Sequence, residues 1–115
     1  MEYTTVTKDV EFVPVWEGND EREDDERIVF TLRYLTDAQL AKCYTLGIDK
    51  GGDQTVSPKY ELLAKYGIAD IKNLKVDGIE IKTAQQLGGL KGFSRLYMEI
   101  GTEILIMNPR QDLKN

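Results

Sequence analysis

The sequence contains no histidine and a single cysteine, Cys43. Without histidine, the chain lacks the commonest general base, the commonest protein ligand for metals and the base of Ser-His and Cys-His pairs. Cys43 lies in the apolar stretch LAKCY, which favours a buried and unreactive thiol. Acidic residues are numerous, but no pattern marks two of them as a buried catalytic pair. We therefore predict no enzymatic activity, no cofactor and no metal site.

Long apolar stretches are also missing. No run of about 18 apolar residues could cross a membrane, and the first residues, MEYTTVTKDVEF, lack the basic-then-apolar pattern of a secretion signal. A single cysteine cannot form an internal disulfide. These absences favour a reduced, cytoplasmic protein with no membrane partner. A length of 115 residues and a hydrophobic fraction of 41% predict one domain, residues 1–115, with a modest core.

The sequence has fewer basic than acidic residues, and the excess of acids lies in the first half of the chain. The formal net charge is −5. Residues 1–56 carry 13 acids and 6 bases, or −7, whereas residues 57–115 carry 7 acids and 9 bases, or +2. Because a net acidic domain repels phosphate backbones, we predict no nucleic-acid partner. The asymmetry permits head-to-tail contact between copies, and so a homo-oligomer, without requiring one.

The acids are concentrated in the segment EGNDEREDDER, residues 17–27. Seven of its eleven side chains are acidic and two are arginines. Such a density of like charge favours a solvated, mobile loop between two strands. A calcium-binding loop needs acids at fixed alternate positions around a glycine bend, and Gly18 lies too early in the segment to provide it. The alternative is an electrostatic docking loop for a basic partner.

Strands are predicted on both sides of this segment. Residues 10–16, VEFVPVW, alternate in strand fashion, and Pro14 restricts them to an edge strand or a bulge. Trp16, the only tryptophan, is interpreted as a core or edge aromatic. Residues 27–35, RIVFTLRYL, alternate regularly. Together they predict an antiparallel β-hairpin with a long connection.

Two short helices are predicted next. The first covers residues 37–46, with Thr36 as its N-cap, and is followed by a glycine-rich loop over residues 49–58. The second starts at Ser57-Pro58, an N-cap followed by proline at the first helical position. It ends at Gly67 in a Schellman motif, after which a helical turn is expected from Ile68.

The remaining sequence predicts a turn and a longer helix. Asp77-Gly78 suits the two positive-φ positions of a type I′ turn, so residues 74–82 are predicted as a small hairpin. A helix is predicted from Leu90 to about Met107, stopped by Pro109. Its apolar residues recur at alternating spacings of three and four: Leu90, Phe93, Tyr97, Ile100, Ile104 and Met107. Two interpretations stay open for this stripe: the core face of the helix, or a seam for another helix. The expected architecture is α+β, with an N-terminal antiparallel β-hairpin packed against three or four helices.

The order and local motifs of these segments resemble a group of small proteins encoded among the tail genes of long-tailed phages and prophages. The residues that carry the resemblance are Leu35-Thr36, Leu62, Leu63, Gly67, Ile68, Leu74, Asp77-Gly78, Leu96, Glu99-Ile100 and Lys114-Asn115. They span roughly residues 10–115. Members of this group are identified as tail assembly chaperones or tail accessory proteins.

The resemblance implies a non-enzymatic factor that binds the tape-measure protein, or another tail protein, while the tail assembles. A chaperone for helices needs an apolar groove, and the stripe on the last helix could provide it. We therefore predict a partner-binding site at Leu90, Phe93, Tyr97, Ile100 and Ile104. Two other functions fit the sequence: a structural virion component, such as a head–tail connector or tail terminator ring subunit, and a small acidic antagonist that docks through residues 17–27.

Overall fold

The computed structural model describes residues 1–3 and 8–108. Within these residues an antiparallel three-stranded sheet, two hairpins and four α-helices form, which confirms the predicted α+β class. The elements follow in the order β1 (Val10–Phe12), a 3-10 helix (Trp16–Glu21), β2 (Val29–Leu32), α1 (Asp37–Lys42), β3 (Tyr44–Ile48), β4 (Gln54–Pro58), α2 (Tyr60–Gly67), β5 (Ile68–Lys72), β6 (Lys75–Val76), β7 (Ile79–Glu80), α3 (Ala84–Gly88) and α4 (Ser94–Met107).

The three-stranded sheet has β2 at its centre, between β1 and β5. Phe30 lies opposite Phe12 on one side and Ile71 on the other, and both pairings are antiparallel. The predicted alternation holds in β2, where Phe30 and Leu32 are fully buried. The N-terminal hairpin is therefore confirmed. Both of its strands are shorter than predicted, and β1 ends before Pro14, which has no amide hydrogen for a ladder.

The acidic segment between these strands is exposed, as predicted, but it is not a loop without structure. All seven of its acidic side chains are exposed to solvent. The 3-10 helix occupies its first half, with a kink where Glu17 (φ 54°) and Gly18 (φ 72°) take up positive φ.

A single buried side chain, Asn19, joins the two ends of this segment. Its amide nitrogen donates hydrogen bonds to the carbonyl oxygens of Pro14 (2.8 Å) and Ile28 (3.0 Å). Its amide oxygen accepts a hydrogen bond from the backbone N–H of Ile28 at 2.7 Å. Asn19 thus satisfies backbone groups that would otherwise be buried without partners.

The segment after β2 departs from the prediction. Helix α1 begins as expected, because Thr36 and Gln39 form a capping box. It ends at Lys42, however, and residues 44–48 form β3 instead of the second half of a helix. The predicted loop over residues 49–58 is also wrong from residue 54 onward, where β4 begins. Cross-strand pairing along these residues outweighs the short apolar stripe that suggested a helix.

The boundaries of α2 differ from the prediction at both ends. Ser57 and Pro58 belong to β4, so the helix starts at Tyr60. Gly67 closes α2 without entering the left-handed region, so the predicted Schellman motif does not form. The following residues form β5, where a helical turn was expected, because they pair with β2 and bury Ile68 and Ile71 in the core.

Of the two C-terminal predictions, the turn is confirmed, whereas the start of the helix is wrong. The Asp77-Gly78 turn is confirmed, with φ of 52° and 79° between the paired strands β6 and β7. The long helix ends at Met107 as predicted but begins only at Ser94. Leu90 lies in the connection after α3, and Phe93 occupies the N-cap position. Pro109 lies outside the described residues.

Helices α2 and α4 pack closely because each contributes a glycine to the contact. A Cβ atom on Gly67 would collide with the side chain of Ile104. A Cβ atom on Gly101 would lie 2.5 Å from Cδ1 of Tyr60. Glycine inside a helix costs about 1 kcal/mol relative to alanine, and here it allows the two helices to approach.

We expect Gly101→Val to lower the free energy of unfolding by about 2 kcal/mol, because the added side chain overpacks the contact with Tyr60. Thr102→Val places the same side chain one residue further, at an exposed position, and should change stability by less than about 0.5 kcal/mol. Urea denaturation followed by circular dichroism measures both values. Equal stabilities of the two variants would contradict the close approach of α2 and α4.

We expect Asn19→Ala to lower the free energy of unfolding by about 2–3 kcal/mol, because it leaves buried backbone groups of Pro14 and Ile28 unpaired. Asp20→Ala changes the exposed neighbour and serves as the control. Thermal and urea denaturation of the two variants test this. Asn19 would have no structural role if both variants unfolded at the same urea concentration.

Candidate protein-binding surface

Strands β3 and β4 form a hairpin that lies apart from the three-stranded sheet. We refer to residues 44–58 as the arm. Among the described residues these two strands pair with each other and with no other strand, in a continuous register from Tyr44–Pro58 to Ile48–Gln54. Asp49 closes the tip, since its carboxylate accepts hydrogen bonds from the backbone N–H groups of Gly51 and Asp53, both at 2.9 Å.

At its base the arm joins the rest of the molecule, which we call the body. There β3 follows α1, and β4 leads into α2. The backbone N–H of Cys43 donates to Leu40 at 3.0 Å, and the N–H of Lys59 donates to the carbonyl of Cys43 at 2.7 Å. Cys43 is fully buried at this junction. Burial raises the pKa of its thiol, which agrees with the predicted unreactive cysteine.

The register gives the arm one apolar and one polar face. Side chains alternate between the faces of a strand, and paired residues share a face. Leu46 and Val56 therefore lie on the same face as Tyr44, Ile48 and Pro58, together with one polar residue, Gln54, opposite Ile48. The opposite face carries small or hydroxyl residues: Thr45, Gly47, Thr55 and Ser57.

The apolar face is open to solvent. Leu46 is 72% exposed, Ile48 74% and Val56 46%. A two-stranded hairpin is only marginally stable in water by itself. A large apolar face on such a hairpin is a typical contact surface for another protein.

The arm also differs from the rest of the chain in charge. Its ten strand residues, YTLGI and QTVSP, include no charged side chain, although 30% of the whole sequence is charged. The molecule as a whole is less compact than is typical for its length. The radius of gyration is 16.0 Å, compared with about 13 Å for a compact chain of this length.

The predicted binding stripe on α4 lies mostly inside the molecule. Ile100 and Ile104 have no exposed surface and belong to the core, together with Leu96. They therefore offer no surface to a partner in this conformation, and the burial supports the interpretation of the stripe as a core face. The apolar side of the helix faces α2 at the glycine contacts.

The other three residues of the predicted site are half-buried and pack against the core: Leu90, Phe93 and Tyr97. Phe93 lies against Trp16, with ring centroids 5.2 Å apart. The hydroxyl of Tyr97 donates to the carbonyl of Ala84 at 3.5 Å, and burial raises the pKa of its phenol. The five residues of the stripe therefore do not form one open surface.

The acidic segment borders a shallow cleft of about 370 Å³. The residues that line it are Asp25, Glu26, Asn73, Leu74, Lys75 and Glu80. Next to Glu26 in sequence, Arg27 donates to the carbonyl of Arg22 at 2.8 Å and pairs with Asp24 at 3.1 Å. Since Asp24 is 94% exposed, this ion pair contributes little to stability.

The chain matches no protein-family model, no curated protein and no solved structure. In the part of the chain that the structure describes, every helix is too short or too polar to span a membrane.

The arm was missed at the sequence level because its strands were divided between a helix and a loop. One signal in the sequence could have found it. Tyr44, Leu46 and Ile48 alternate strictly, and the alternation resumes around Val56 after the turn formers Gly51-Gly52.

We expect Ile100→Asp to unfold the protein at room temperature, because an unpaired carboxylate in the core costs several kcal/mol. Ile106→Asp makes the same change on the exposed side of the same helix, where Ile106 is 65% exposed, and should cost less than about 1 kcal/mol. Circular dichroism and urea denaturation distinguish the two. A folded Ile100→Asp variant would mean that the stripe is accessible and would restore the predicted site.

Proposed function

We propose that this protein is a non-enzymatic assembly chaperone for the tail of a phage or prophage, and that it acts in the host cytoplasm. It binds the tape-measure protein, or another tail protein, before the tail is complete. The resemblance of its segments to small tail-gene proteins suggests the process. The exposed apolar face of the arm suggests the mode of action, which is binding.

The single observation that carries this proposal is the open arm, whose two strands carry no charged side chain. Leu46, Ile48 and Val56 present an apolar surface beside strand edges that can pair with a further strand. An uncharged apolar face can contact many positions along a long client protein, because it does not require a charge of one particular sign at each position. The acidic exterior, with its seven exposed acids in residues 17–27, keeps such a protein soluble while the arm stays available.

A second candidate function is a structural virion component, such as a head–tail connector or tail terminator subunit. The same arm favours it, because a projecting hairpin can bind the adjacent subunit of a ring. The two functions differ in the fate of the protein. A chaperone is released before the particle is finished, whereas a connector or terminator stays in it.

The experiment is affinity purification of the tagged chain from cells that express the neighbouring tail genes, followed by mass spectrometry. We expect a long, helix-rich tail protein to co-purify. Leu46→Thr/Ile48→Thr should reduce its recovery at least about 10-fold, because the two changes remove most of the exposed apolar face. The control, Ile79→Thr/Ile106→Thr, removes exposed isoleucines outside the arm and should leave recovery unchanged.

Analysis of finished particles completes this test. The chaperone function requires that particles lack the 115-residue chain. Its presence there in fixed copy number would support the structural component instead. Recovery of no tail protein at all would reject both functions.

A further inference from the structure

We propose that in the free protein the apolar face of the arm is covered by the arm of a second copy. The two arms lie face to face and antiparallel about a two-fold axis. This inference rests on the proposed role of the arm as a contact surface, and it names the first occupant of that surface. A client protein would then compete with the second copy for the same face.

The absence of charge on the two strands of the arm is the first argument for a second copy. Near a two-fold axis each residue lies close to its own counterpart, so a charged side chain there meets a like charge. The chain as a whole carries −5, so two copies have net charges of the same sign. The uncharged strands of the arm are a region where two copies meet without repulsion between like charges. A foreign partner of opposite charge would not need such a neutral strip.

The charges at the two ends of the arm are the second argument. The tip carries Asp49 and Asp53, together with Lys50. The base is flanked by Lys42, just before β3, and Lys59, just after β4, with one acid, Glu61, also close to Cys43 there, so the base has an excess of positive charge. When two arms pack antiparallel, with the Leu46–Val56 pair of each at the axis, the acidic tip of one copy lies at the lysine pair of the other. The charge pattern is therefore complementary to itself in this arrangement.

The size of the contact is the third argument. A stable interface involves about 20–30 residues on each side, whereas the arm comprises fifteen, residues 44–58. If the arm alone bound a foreign protein, it would therefore supply roughly half of the residues that one side of a stable interface contains. In a two-fold pair each copy contributes both its own arm and the surface that receives the partner's tip. Strands of five residues, about 17 Å long, are long enough to reach it.

The first test is sedimentation equilibrium of the purified full chain over a wide concentration range. We expect a monomer–dimer equilibrium, and Leu46→Thr/Ile48→Thr should raise the dimer dissociation constant at least about 100-fold, because apolar surface is lost twice in every dimer. Ile79→Thr/Ile106→Thr should leave it unchanged. Circular dichroism checks that each variant is folded. A wild-type protein that is monomeric at every concentration overturns the inference.

The second test places a charge at the proposed axis. Val56→Lys and Val56→Glu should each prevent dimerisation, since each brings two like charges together. An equal mixture of the two variants should restore a mixed dimer, because the charges then attract. The matched pair Ile79→Lys and Ile79→Glu, on another hairpin, should dimerise like the wild type. If mixing the Val56 variants does not restore the dimer, the two arms do not face each other.

These results separate the inference from the proposed function. If Leu46→Thr/Ile48→Thr no longer recovers the tail protein and the wild type is monomeric, then the second copy does not occupy the face. The proposed chaperone function would still stand. A dimer that depends on the arm, with no tail protein recovered, would keep the inference and reject the chaperone.

Discussion

The close approach of α2 and α4 is the constraint on which the rest of the structure depends. Gly67 and Gly101 remove the two side-chain positions that would hold these helices apart. Ile104 and Tyr60 fill the space instead, and both helices contribute buried residues to the same core as β2 and β5. The position of α2 also fixes where the arm leaves the body, because β4 leads into this helix through Lys59.

This packing decides which apolar surface is available to a partner. The regular stripe on α4 is used in the core, where Ile100 and Ile104 have no exposed surface. The arm contributes no core residue from its strand interiors and keeps Leu46 and Ile48 open. The stripe that suggests a binding seam in the sequence therefore has two of its five predicted site residues in the core, and a segment that looks like helix and loop carries a more open apolar surface.

The acidic segment shows how charge and order coexist in one connection. Its acids point into water, where their repulsion is screened, and its order comes from the one uncharged polar side chain that turns inward. Asn19 is buried because its amide pairs with both ends of the segment, at Pro14 and Ile28. Composition predicts the solvated surface of such a segment, but no residue pattern indicates that its single amide side chain would be buried.

Local rules determined a definite part of this protein from sequence alone. The alternation of β2, the Thr36 cap and the Asp77-Gly78 turn depend on neighbouring residues, so they were predicted correctly. Strand β5 and the arm depend on partners that lie elsewhere in the chain or across a turn, and for them local propensity favoured the wrong element. Periodicity shows that a segment has an apolar face, but it does not show what covers that face. Only the tertiary structure decided that α2 covers the stripe of α4 and that the apolar face of the arm is open, because covering a face requires contacts between residues distant in sequence.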